Sequence, residues 1–256
     1  MSIRNLLPLV LLSSVLYAVP ANGQEPASWA RDILNSYSNT NREVLLDNRM
    51  RAQVVVGDYR GALATYDSLK GVRSKPGRSV PPVAAIAYEI FLENALRAEP
   101  LDTTFARVAS SVDDRTSAVA MGWSLTPWLP RMQADYDAVL TRVKAKADIT
   151  LSDKLDVVRR AAHVKVFSLI SPDIERLLEA DDQRRYIITR DIIVRSPQDG
   201  QVCVMVWRPR KAQGKLTALL NFTVYESLQN TIEARRTASN GYAGVEGLTR
   251  GKGCSG

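Results

Sequence analysis

Few residues in this chain are of a type that does chemistry, and their spacing limits what they could do. The only histidine is His163. It follows an apolar helical pattern, where it reads either as a general base or as a histidine at a helix boundary. No acid or nucleophile pattern accompanies it, so the boundary reading is the expectation. The two cysteines are Cys203 and Cys254. Cys203 alternates with Val202, Val204 and Val206 in an expected strand, where a buried free thiol behaves as a small hydrophobe. A disulfide to Cys254, which export would permit, is the alternative. With no Cys/His cluster, a zinc-type metal site has no support in the sequence. Gly253-Cys254-Ser255-Gly256 superficially begins a nucleophile turn of type Gly-x-Ser-x-Gly, but no helix follows to hold a serine in that strained turn.

The elements that must position these residues fall into two texts. From about Ala27 to Ala180 the pattern is helical. Residues 42–56 run to Gly57, and Asp58-Tyr59-Arg60-Gly61-Ala62-Leu63 opens a second helix. This pair looks like one tetratricopeptide unit, but no second copy follows, so an isolated helical hairpin is expected. Ser74 to Ser79 reads as a loop and Pro82 to Leu96 as a helix apolar nearly all round. Thr126-Pro127-Trp128-Leu129-Pro130 interrupts the pattern. Met132, Tyr136, Val139, Leu140, Val143 and Ala147 then form one helical stripe. Ser152 is the expected cap of the next helix, whose inner face takes Leu155, Val158, Ala162, Val166 and Leu169. Ser171-Pro172-Asp173 opens a short last helix with proline at its first position.

At Arg184 the period changes to that of strands. Residues 186–195 and 201–207 form a hairpin about a turn at Ser196 to Gly200. Leu216 to Val224 reads as a buried central strand, 228–239 as a helix ended by Asn240-Gly241, and Tyr242 to Leu248 as a fourth strand. Hairpin, strand, helix, strand is how an α/β sheet with antiparallel leading strands begins.

The N-terminus reads as an export signal. One charge, Arg4, precedes an apolar run of about 14 residues, short of the ~20 that span a bilayer. Small residues at Ala21 and Gly23 fit cleavage after Gly23. The expected organisation is a signal peptide over 1–23, a helical domain over 24–183 and a sheet region over 184–256, in an exported protein, periplasmic or secreted. The formal net charge of +7 arises wholly within 184–256, which holds 12 Lys/Arg against 5 Asp/Glu. Those cations are scattered at strand edges without interleaved aromatics, which argues against nucleic acid. Nothing after the signal resembles a membrane span.

The sheet region resembles the Xaa-Pro dipeptidyl-peptidase and cocaine esterase family of α/β-hydrolases. Asp199-Gly200 and Arg208-Pro209 stand at the family's leading hairpin. Tyr225 follows the third strand, and Gly241-Tyr242 opens the strand that runs into Arg250-Gly251-Lys252-Gly253-Cys254-Ser255. Two positions depart from the pattern: Val224 where proline is usual, and Leu248 where aspartate is usual. The resemblance implies that Tyr225 donates its hydroxyl to the oxyanion of an acyl-transfer intermediate, a role worth about 3–4 kcal/mol. It also implies that Ser255 is a loop serine, and that the nucleophile, acid and histidine come later than this chain reaches. The expectation is therefore α+β overall, a helical domain followed by the truncated start of an α/β-hydrolase sheet. The resemblance implies an exported serine hydrolase acting on a peptide or acyl ester without cofactor, present as a front part inactive alone. The alternatives are a helical binding module with a vestigial hydrolase segment, and a non-catalytic remnant with exposed strand edges.

Overall fold

The computed structural model describes residues 24–73, 84–118, 128–195, 200–223 and 232–255. The expected signal peptide, the loop at 74–79, the break at 126–127, the hairpin turn at 196–199, Val224 and Tyr225 lie outside the described residues. Eight helices come first: α1 (Gln24–Ser36), α2 (Arg42–Val56), α3 (Tyr59–Arg73), α4 (Ala84–Arg97), α5 (Leu101–Ser110), α6 (Leu129–Lys144), α7 (Leu151–Ile170) and α8 (Ile174–Arg185). A further helical stretch covers 114–118. Strands β1 (Tyr186–Arg195), β2 (Gln201–Pro209) and β3 (Ala218–Thr223), helix α9 (Ile232–Ser239) and strand β4 (Ala243–Leu248) follow. The protein is thus mixed α and β, with one small mixed sheet.

Local chemistry sets the helix ends. Asn41 caps α2 by accepting from the N–H groups of Glu43 and Val44 at 3.0 and 3.3 Å. Gly57, at φ 84°, ends it in the left-handed turn that glycine adopts without strain. Asp58 then accepts from the Gly61 N–H at 2.9 Å, and the buried Thr65 hydroxyl donates to Gln53 at 2.7 Å, closing α2 on α3. The cap of α7 is Thr150 rather than Ser152. Thr150 accepts from the Asp153 N–H while Asp153 accepts from the Thr150 N–H. This reciprocal arrangement needs an acid three residues after the cap, and Ser152 has Leu155 there. Pro172 does not open α8 but sits in the preceding turn, because α7 runs to Ile170 and Ser171 is used in ending it.

The helices bury two clusters. Met50, Val54, Tyr66, Ile90, Leu92, Phe105, Val166 and Ile170 belong to the larger. Trp29, Ile33, Ala52, Val139, Val143 and Val158 belong to the other. Helix α7 contributes to both. Its buried set is therefore wider than one stripe, adding Val157, Phe167 and Ile170 while Leu155 and Leu169 stay half-buried.

In the sheet the strand order is β1-β2-β4-β3. Only β2 runs against the others: it is antiparallel to β1 and to β4, and β3 is parallel to β4. Strand β3 is therefore an edge strand, not the buried centre its apolar composition implied; Leu220 is 67% and Phe222 54% exposed. The central position goes to β4, whose small residues suit it. A Cβ on Gly244 would lie 2.4 Å from the Ala234 carbonyl oxygen, so glycine lets α9 lie directly on the sheet. Strand register puts Leu220, Phe222, Val245 and Val206 on the face opposite α9.

Buried charges tie α8 to the end of α5 and to α9. Arg185 donates to Asp181 at 2.7 Å, to Asp114 at 2.5 Å and to the carbonyls of Ala109 and Val112. Beside it Asp182 accepts from Arg235 of α9, whose guanidinium lies 5.5 Å from the Trp207 ring centroid.

Candidate functional site at the carboxyl edge of the sheet

Because β3 and β4 are parallel, both deliver their carboxyl ends to one edge, where Thr223 pairs with Leu248. Open α/β sheets bind ligands outside this edge, where loops diverge and backbone groups are free to recognise them. Two segments leave from it. One begins at Val224 and contains Tyr225, the candidate oxyanion donor, two positions beyond the last described residue of β3. The other is the turn from Thr249 to Ser255.

That turn folds back on the start of β2. The Lys252 N–H donates to the Thr249 carbonyl at 3.1 Å and the Ser255 N–H to the Lys252 carbonyl at 3.0 Å. Gly251 and Gly253 take positive φ of 79° and 54°, which places glycines at the two reversals. The Ser255 hydroxyl is buried and used twice: it accepts from the Cys203 N–H at 2.8 Å and donates to the Leu248 carbonyl at 2.7 Å. A hydroxyl whose proton is committed to a backbone carbonyl has no base to activate it. Ser255 is a clasp between β2 and β4.

Cys203 is fully buried, as its alternation implied, but it is not a free thiol. It forms a disulfide with Cys254, with Cα atoms 5.0 Å apart. The sequence could place Cys203 inside a strand; it could not show that the turn reverses and delivers Cys254 to it. Close by, a bulge in β1 between Thr189 and Ile192 carries Asp191 at φ 57°, with its Oδ1 3.9 Å from Cys203 Sγ.

Glu246 is a functional-looking residue that sequence reasoning passed over. It is fully buried on β4, and its Oε1 accepts from the Ala234 N–H at 2.8 Å. A carboxylate there satisfies an N–H of the first turn of α9 and complements the positive end of the helix. The available signal was an acid inside the apolar run Ala243 to Leu248.

His163 lies elsewhere, at the junction of α2, α4 and α7. Arg51 donates to its Nδ1 at 2.7 Å and to the Tyr88 hydroxyl at 3.0 Å, while Asp47 accepts from Arg51 at 2.8 Å. Tyr88 also approaches Nδ1, at 3.0 Å. Burial first, and the Arg51 charge second, push the imidazole down to about 4. An Nδ1 that accepts from a guanidinium cannot take up a proton without losing that bond, so the geometry does not make His163 a general base. It shares no partner with Ser255, and the structure does not bring the two together.

Among the described residues, one group of three side chains has metal-ligating atoms in mutual reach: Asp191, Cys203 and Cys254. None of the described helices is long and apolar enough to cross a membrane. No family model, no curated protein and no solved structure matches this chain.

Proposed function

We propose that residues 184–256 are the leading part of the catalytic domain of an exported serine hydrolase of the Xaa-Pro dipeptidyl-peptidase and cocaine esterase type, with 24–183 as an appended helical domain. The observation that carries this reading is the sheet's direction pattern. An antiparallel strand pair leads, and a parallel β3–α9–β4 arrangement follows, with Tyr225 lying in the sequence between β3 and α9. In α/β-hydrolases the loop after the third strand helps to build the oxyanion hole. A phenolic donor there would act where negative charge develops on the substrate carbonyl oxygen. The clasp role of Ser255 supports its reading as a loop serine. The nucleophile, the acid and the histidine would be supplied by further polypeptide, and the substrate would be a peptide or an acyl ester, with no cofactor, no nucleic acid and no membrane after signal cleavage.

The test is covalent labelling with a fluorophosphonate, which traps activated serines. The 256-residue chain should take no label. The chain joined to its downstream coding sequence should be labelled on a later serine, and Tyr225→Phe in that longer protein should lower kcat by about 10²–10³-fold. Stoichiometric labelling of Ser255 would overturn the assignment. One observation favours a second reading, a helical binding module: both large clusters are drawn wholly from the helices. That reading requires residues 24–183 to melt cooperatively when expressed alone.

A further inference from the structure

The disulfide and its surroundings hold a set of donor atoms that the hydrolase reading does not use. Cys203 Sγ, Cys254 Sγ and a carboxylate oxygen of Asp191 all lie within 4.8 Å of one another. Three separate segments deliver them: β2, the turn after β4, and the bulge of β1. Asp191 reaches the sulfurs because the bulge breaks the register and sets its backbone in the left-handed region, which aspartate tolerates better than most residues.

We propose that, once the disulfide is reduced, Cys203, Cys254 and Asp191 form a three-ligand site for a thiophilic divalent cation of the zinc type. Two thiolates and one carboxylate suit such an ion, whereas magnesium and calcium take oxygen-only sets. A tetrahedral ion bonded to sulfur at about 2.3 Å and to oxygen at about 2.0 Å holds those two atoms about 3.5 Å apart. The Asp191 oxygen already stands 3.9 Å from Cys203 Sγ. The site is held together without the disulfide, because Ser255, next to Cys254, keeps its two hydrogen bonds to the Cys203 N–H and the Leu248 carbonyl. Opening the bond therefore leaves both sulfurs beside each other and beside a carboxylate. That concentrates negative charge as the thiols ionise, and a cation relieves it. Three protein ligands leave a fourth position for water or an exchangeable ligand.

The chemistry balances with a trialkylphosphine as reductant. The phosphine gives two electrons to the S–S bond, which breaks, and takes oxygen from water to become the phosphine oxide, leaving two thiols. Binding of the ion then releases the two thiol protons. This inference does not rest on the hydrolase assignment and can fail separately from it.

The experiment is cobalt titration of the full chain, oxidised and phosphine-reduced, followed by the ultraviolet thiolate-to-cobalt charge-transfer band and by far-ultraviolet circular dichroism. The reduced protein should bind one cobalt per chain, be displaced by zinc, and keep its folded signal; the oxidised protein should show no band. Asp191→Asn, which keeps a residue tolerant of the left-handed backbone, should weaken binding about tenfold or more. Absence of a band in the folded reduced protein would overturn the proposal, as would loss of the folded signal on reduction with no cobalt bound. An affinity unchanged in Asp191→Asn would also overturn it, by showing a two-cysteine chelate only.

Discussion

Replacing Cys254 by alanine removes the cross-link between β2 and the turn after β4, and its cost follows from the chain. The two half-cystines are separated by 51 positions. Closing a loop of that size lowers the entropy of the unfolded chain by an amount equivalent to about 4 kcal/mol at 25 °C. The Ser255 hydroxyl bonds survive the substitution and continue to hold the turn. Each is worth about 1 kcal/mol, so the folded state keeps its geometry and the loss falls mainly on the unfolded side. The expected destabilisation is about 2–4 kcal/mol. Urea unfolding followed by tryptophan fluorescence measures it: the variant midpoint should fall under oxidising conditions, and excess dithiothreitol should bring the wild type down to the same midpoint. Equal midpoints without reductant would refute the reasoning, as would two titratable thiols in the denatured, unreduced wild type.

Other outcomes follow from single contacts. Ser255→Ala leaves the Cys203 N–H and the Leu248 carbonyl buried without that partner and should cost about 1–3 kcal/mol by the same urea assay. Gly244→Ala should destabilise by about 1–3 kcal/mol, because its Cβ meets the backbone of α9. Gly247→Ala should cost less, because its Cβ meets only the exposed Phe222 ring, which can turn away. Arg185→Ala should cost about 1–3 kcal/mol, since the carbonyls of Ala109 and Val112 lose their donor while Asp181 keeps its ion pair with Arg184. Two groups give opposite pH slopes. His163, at about 4 when folded, contributes stability that is present above pH ~6.5 and lost as pH falls toward 4. Asp182 is raised to about 6, by burial first, with Arg235 opposing. It contributes stability present below pH ~4 and lost as pH rises through 6. Each slope amounts to about 3 kcal/mol at full extent. Urea midpoints between pH 4.5 and 7 should therefore steepen upward in Asp182→Asn and turn downward in His163→Gln. Parallel slopes in both variants would show that neither group titrates as described.

Much of the local structure was legible because it is written in neighbouring residues. Asn41 and Gly57 bracket α2 at the expected bounds, and the change of period at Arg184 marks the start of β1 within two residues. The expected cap at Ser152 failed because the reciprocal capping box, which needs an acid three positions on, is available to Thr150 through Asp153 and not to Ser152, which has Leu155 there. Strand order was beyond reach: whether Leu219, Leu220 and Phe222 lie at the centre or the edge depends on where β4 inserts. The candidate site was half legible. Ser255 could be read as a loop serine, and its buried hydroxyl agrees with that. The disulfide, the approach of Asp191 and the cap from Glu246 to α9 depend on a bulge, a reversal and a crossover. None of these leaves a periodic trace in the residues that meet. Arg51 and His163 are likewise 112 positions apart, so the burial and the Arg51 charge that keep the histidine neutral follow from how α2, α4 and α7 pack.

The most direct measurement of the hydrolase assignment is to sequence the coding DNA beyond the Gly256 codon and read it in all three forward frames. The assignment predicts a Gly-x-Ser-x-Gly elbow between a strand and a helix within about 100 residues, followed by an acid and then a histidine. A downstream sequence without that elbow in any frame would contradict it.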